Sequence, residues 1–111
     1  MLSQLYGPFV YRGSDRVAEH ETLAKLDRVA QDLSLDAETI AIARDLFLAE
    51  LPVADRSKTT LLATSCYAAS LITGNECSQT AVAEAFDVSR IAIQQRWKTV
   101  LTNAGFEPPR W

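Results

Sequence analysis

The 111-residue sequence is poor in the residues that build metal sites, disulfide frameworks and nucleotide loops. It has two cysteines, Cys66 and Cys77, and one histidine, His20. A structural zinc site takes about four such ligands, so Cys and His alone cannot assemble one. The cysteine separation matches no metal spacing, and nothing implies a bridge. The four glycines form no phosphate-cradling loop and no nucleophile elbow. No stretch approaches the ~20 apolar residues that span a bilayer, so no membrane association is expected. The opening residues, MLSQLYGPFVYRG, lack the basic start and apolar run of a secretory leader. A cytoplasmic protein with no cofactor and no metal is the expectation.

Paired carboxylates aimed at one pocket are also missing. Glu19 and Glu21 flank His20 without an oriented partner, which reads as a solvated surface histidine rather than a catalytic one. Asp15-Arg16 and Asp27-Arg28 read as ordinary surface pairs. The chain is not expected to be an enzyme, and no small-molecule substrate is implied.

What the sequence does have is helical periodicity. Apolar residues make up 48% of it, enough for one compact domain to bury a core without staples. The net charge of −3 argues against indiscriminate binding of polyanions. Its distribution is uneven: residues 1–56 carry ten acids against six Lys or Arg, and residues 57–111 four against five. The second half repels phosphate far less than the first.

Residues 1–13, broken by Gly7-Pro8 and Gly13, read as an extended arm. A first helix is expected from a Ser14 cap to Leu33, with Leu23, Leu26, Val29, Ala30 and Leu33 on one stripe. Charged Lys25, Asp27, Arg28 and Asp32 cover its remaining faces. Asp36 caps a second helix that reaches Leu51 before Pro52 stops it, with Ile40, Ala43, Phe47 and Leu51 inward. A third helix spans Ser57 to Ile72 and ends at Thr73-Gly74-Asn75. Its interior, LLATSCYAASLI, is apolar or small on every side, so it is the buried centre, and Cys66 within it is a small core hydrophobe. Ser78 caps a short fourth helix, Gln79 to Phe86. Ser89 caps a fifth, Arg90 to Ala104, with Ile93, Trp97, Val100, Leu101 and Ala104 on one side and Gly105 ending it. The tail 105–111 is expected to dock through Phe106 and Trp111. No strand is expected; the fold class is all-α, a five-helix domain over 14–104.

The corner SQTAVAEAFDVSRIAI joins two short helices through Asp87-Val88-Ser89. Val82, Ala83, Phe86, Val88 and Ile93 point inward, and the small Ala83 permits a close crossing. This is the spacing of a helix-turn-helix, over 78–104 here, whose second helix enters the major groove. The outward residues are then Ser89, Arg90, Ile91, Gln94, Gln95 and Lys98. Arg reads guanine, Gln reads adenine, and Ile91 suits a thymine methyl. Arg96 and Lys98 suit phosphates, as does the N-terminus of the fourth helix with Ser78, Gln79 and Thr80. Similar corners also pack helices that never meet DNA, and the carboxylates of Glu84 and Asp87 oppose phosphate.

The run KTTLLATSCYAASLITGNECSQTAVAEAFDVSRIAIQQRWKTVL resembles one cyclin-like repeat of the archaeal and eukaryotic general transcription factor B, most of all its second repeat. The matching pieces are Ala63 through Ala69, Gly74, Ser78-Gln79, Val82-Ala83, Val88-Ser89, Ile93, Arg96, Trp97 and Lys98. Upstream, ETLAKLDRVAQDLSLDAETIAIARDLFLAEL resembles the first two helices of the repeat, bringing the match to about 90 residues. The resemblance implies a five-helix cyclin box ending in a helix-turn-helix that touches promoter DNA. Gln79, Arg90, Gln94, Gln95, Arg96 and Lys98 would face the DNA. There is no CxxC pair for the family's zinc ribbon, and one repeat where the family has two. Asp87 replaces a favoured Gly and Gln94 an Arg, so full initiation-factor activity is not expected.

The implied function is a DNA-binding transcriptional regulator, with double-stranded DNA as partner. The alternative is a non-enzymatic cyclin-type module that grips a transcription or cell-cycle protein. Tyr6, Phe9, Tyr11 and Trp111, at the two ends, offer an apolar surface for a second copy or for a transcription-machinery protein. A homodimer would supply a second half-site.

Overall fold

The computed structural model describes residues 13–51 and 57–106, with side chains from His20 onward. These residues form five helices: α1 (Gly13–Leu33), α2 (Ala37–Ala49), α3 (Lys58–Thr73), α4 (Gln79–Phe86) and α5 (Arg90–Asn103). The expected arm, Pro52 and the aromatic end residues Tyr6, Phe9, Tyr11 and Trp111 lie outside the described residues.

Ten consecutive residues of α3, Leu61 to Ser70, are buried. Burial on every face needs neighbours on every face, and α1, α2, α4 and α5 all contact this helix. Alanine and serine make this possible, because a short side chain lets the neighbouring backbones approach. The core beside α3 contains Leu26, Phe47, Phe86, Ile93 and Leu101, all fully buried. Each such large side chain contributes roughly 1.5–3 kcal/mol relative to exposure. Tyr67 and Trp97 meet edge to face, with ring centroids 5.7 Å apart at 83°, and tie α3 to α5.

Two hydroxyls inside this core are bonded locally, whereas the buried Ser65 Oγ has no hydrogen-bond partner among the described residues. The Thr64 hydroxyl donates to Thr60 O at 2.8 Å and the Ser70 hydroxyl to Tyr67 O at 2.7 Å. A longer relay joins α2 to the end of α3. Asp36 Oδ1 caps α2 by accepting from Thr39 N at 2.8 Å and from the Thr39 hydroxyl at 2.7 Å. The Thr39 proton is thereby used, so the Thr73 hydroxyl 2.7 Å away donates to Thr39 Oγ1. These hydrogen bonds hold the Asp36 carboxyl below its ordinary value, the backbone amide having the larger effect. They also explain why Thr39 is fully buried.

Three helices end in the same backbone device. Leu35 N bonds Ala30 O, Val88 N bonds Ala83 O and Phe106 N bonds Leu101 O, each at 2.9 Å. The residue before each is left-handed: Ser34 and Asp87 at φ 57° and Gly105 at φ 90°. The amides of these residues bond Gln31 O, Glu84 O and Thr102 O. This is the Schellman ending, which satisfies carbonyls the helix leaves orphaned.

Several expectations shift. Helix α1 begins at Gly13, so Ser14 lies inside the first turn rather than capping it. Helix α2 closes at Ala49, and its buried residues are Thr39, Ala43, Leu46 and Phe47; Ile40 and Leu51 are only half-buried. Val88 is half-buried as well. Ala104 is exposed because it follows the last turn of α5. Phe106 is 42% exposed, resting on the end of α5 rather than buried. Asp27 pairs with Arg44 of α2 at 3.3 Å, not with its neighbour Arg28. That exposed pair is worth about 0–1 kcal/mol.

Candidate nucleic-acid interface

Helix α4 starts where Ser78 Oγ accepts from Ala81 N at 3.0 Å, an N-cap bond that commits the serine oxygen to its own helix. After the eight residues of α4 the left-handed Asp87 reverses the chain, and α5 begins after Ser89. Ser89 stands at the N-cap with extended backbone but makes no side-chain cap bond, and it is exposed. The corner is packed from within by Val82, Ala83, Phe86 and Ile93, all buried. From outside it is held by Lys25 of α1, whose Nζ donates to Phe86 O at 3.4 Å. A cation at that carbonyl also suits the negative end of the α4 dipole.

Helix α5 then divides by face. Ile93, Trp97, Val100 and Leu101 are buried, while Arg90, Ile91, Gln94, Gln95, Arg96, Lys98 and Thr99 are exposed. Ile91 is 58% exposed, one of two large hydrophobic side chains so open among the described residues. The helix RIAIQQRWKTVLTN carries Arg90, Arg96 and Lys98 and no acid, in a chain of net charge −3. Glu84 and Asp87, both exposed, bring negative charge to the side of α4 and the turn.

Three of the expected contact residues meet. Arg90 Nη1 donates to Gln79 Oε1 at 3.3 Å, and Gln79 Nε2 donates to Gln94 Oε1. Gln79 is half-buried there, and its two partners are exposed. Lys98 sits with its ammonium 5.5 Å from the Trp97 ring centroid, a cation–π contact that steadies the charge. Arg96 belongs to a different flank: two residues on from Gln94, it has turned by about 200° around the helix. It does not share the Gln79 cluster.

Sequence reasoning missed the Lys25 contact and the pairing of Gln79 with Gln94. Both depend on how helices cross, and no spacing within one helix announces them. It also missed a groove of about 280 Å³ between α2 and the end of α5, lined by Ile42, Asp45, Leu46, Ala49, Ala104 and Phe106.

Among the described residues no group of three or more His, Cys, Asp and Glu converges to hold a metal ion. No described helix is long and apolar enough to cross a membrane. Cys66 is fully buried, and burial, with a smaller effect from Cys77, pushes its thiol up to about 12. No protein-family model matches the chain, and no curated protein sequence matches it.

Proposed function

We propose that this chain is a sequence-specific DNA-binding transcriptional regulator, built on a cyclin-like domain whose α4–α5 corner serves as a helix-turn-helix. The observation that carries the reading is the exposed face of α5. It gathers Arg90, Ile91, Gln94, Gln95 and Lys98, two cations among them, with no acid anywhere on that helix. Arginine and glutamine supply the donors and acceptors that read purines in the major groove, and Ile91 supplies apolar contact for a thymine methyl. Ser89 and Gln79 stand at the two helix starts that would approach the backbone, and Arg96 and Lys98 are suited to phosphates. The likeness of the segment 58–101 to the second repeat of general transcription factor B supports the same assignment. A second copy of the chain would double a small contact area and supply a second half-site.

The apolar groove between α2 and the end of α5 favours a second reading, a module that binds a protein partner. Selection of retained sequences from random duplex DNA at two salt concentrations separates the two. The first reading expects an enriched motif and affinity that falls as salt rises, because phosphate contacts release counterions. Arg90→Ala with Gln94→Ala should abolish the enrichment while leaving the helical content intact. No retention at low salt would refute the DNA reading and leave protein docking.

A further inference from the structure

The three side chains that meet at the corner are linked in one direction only. A guanidinium has donors and no acceptor. The oxygen of Gln79 must therefore be the atom facing Arg90 Nη1, 3.3 Å away. That choice fixes the other end of the same amide, so Gln79 Nε2 is the donor to Gln94 Oε1. The Gln94 amide is fixed in its turn, oxygen toward Gln79. Among the described residues nothing bonds the Gln94 nitrogen. A glutamine in solution presents either pole with equal ease; this one has its acceptor already engaged.

From this we infer that Gln79 is a positioning residue that sets which pole of Gln94 is offered to a base edge. The inference rests on the DNA reading of α5 and deepens it. Gln94 offers its N–H donors, so the base it meets presents an acceptor: a purine N7, a guanine O6 or a thymine O4. The proton order originates at Arg90, whose fixed charge cannot be reversed. Arg90 keeps its remaining N–H groups for a guanine or a phosphate. Holding both side chains before binding also reduces the entropy lost when they engage DNA.

The test is a reversal of polarity. In Gln79→Glu the carboxylate still accepts from Arg90 but has no donor for Gln94. Gln94 then turns its amide over, donates to Glu, and offers its oxygen. A glutamate in the first turn of α4 suits the helix dipole, so the fold is retained and an unchanged melting temperature checks it. The base pair concerned is the one whose preference relaxes in Gln94→Ala when variants are selected against random duplex DNA at low salt. At that pair, Gln79→Glu is expected to shift preference by about tenfold toward cytosine, whose N4 donor is its only hydrogen-bonding group in the major groove. Adenine carries both an N7 acceptor and an N6 donor and does not discriminate. Gln94→Glu, with Gln79 intact, is expected to enrich cytosine as well, since a carboxylate can only accept. Gln79→Ala frees the amide and should flatten the preference. A side chain that merely braced the corner would weaken binding uniformly and move no base preference. Wild-type preference retained in Gln79→Glu or Gln79→Ala would overturn the positioning role and leave the DNA reading standing. Absence of any motif or salt-dependent retention in the wild type would overturn both.

Discussion

The turn between α4 and α5 places an aspartate where glycine is the natural occupant, and three substitutions there separate backbone strain from charge. Asp87 is left-handed, at φ 57° and ψ 48°. That conformation costs an L-residue about 1–2 kcal/mol, and aspartate sits toward the low end because its short polar side chain tolerates this region better than larger ones do. Glycine escapes this cost but loses roughly 0.5–1 kcal/mol more backbone entropy on folding. The balance makes Asp87→Gly more stable by up to about 0.5 kcal/mol, a rise in Tm of up to about 2 °C for a domain this size. Asp87→Ala keeps the strain and loses the polar side chain, so it falls below the glycine variant by about 1 kcal/mol or more. In a right-handed helix interior the order is opposite, alanine leading glycine by about 0.8–1 kcal/mol. The ranking of the two therefore reports the sign of φ. Urea unfolding followed by circular dichroism measures it, and an alanine variant as stable as the glycine one would refute the left-handed turn. Asp87→Asn completes the series by keeping tolerance of φ while removing the charge. Its stability should be unchanged within about 0.5 kcal/mol. Its affinity for duplex DNA should rise about two- to fivefold at low salt, the worth of one surface charge.

Two further predictions follow from groups whose titration the fold displaces. Burial raises the Cys66 thiol from an ordinary value of 9.0 to about 12, so at pH 8 its thiolate fraction falls about a thousandfold below that of an exposed cysteine. In Cys77→Ser an aromatic disulfide reagent should leave Cys66 unmodified until denaturant is added; rapid labelling of the folded variant would contradict the burial of α3. The Asp36 carboxyl is held below its ordinary 3.8 by the Thr39 amide and hydroxyl. Its stabilisation is fully present above that value and is lost as pH falls through the lowered pKa. Asp36→Ala should lower Tm at neutral pH, and the gap from the wild type should close toward pH 2. A gap that stays constant across that range would show that the ionised cap contributes nothing.

Much of this architecture was readable because helix ends carry their own chemistry. Asp36, Gly74, Ser78, Ser89 and Gly105 marked boundaries that fall within two residues of those observed. The uncharged interior of α3 announced its burial, since no other arrangement hides that much apolar surface. Reading failed where partners come from distant segments. Thr39 looks like an outward polar residue, and its burial depends on Thr73, 34 positions away. Ser34 carries no mark of the left-handed turn it makes, because the requirement comes from Leu35 folding back onto Ala30. The exposed face of α5 was legible from the positions of Ile93, Trp97, Val100 and Leu101. Its internal order was not: two glutamines 15 residues apart can present either pole until a helix crossing brings them together beside an arginine. Composition therefore names the polar groups this face carries, and the crossing of α4 over α5 decides which atom of each amide is engaged within the corner.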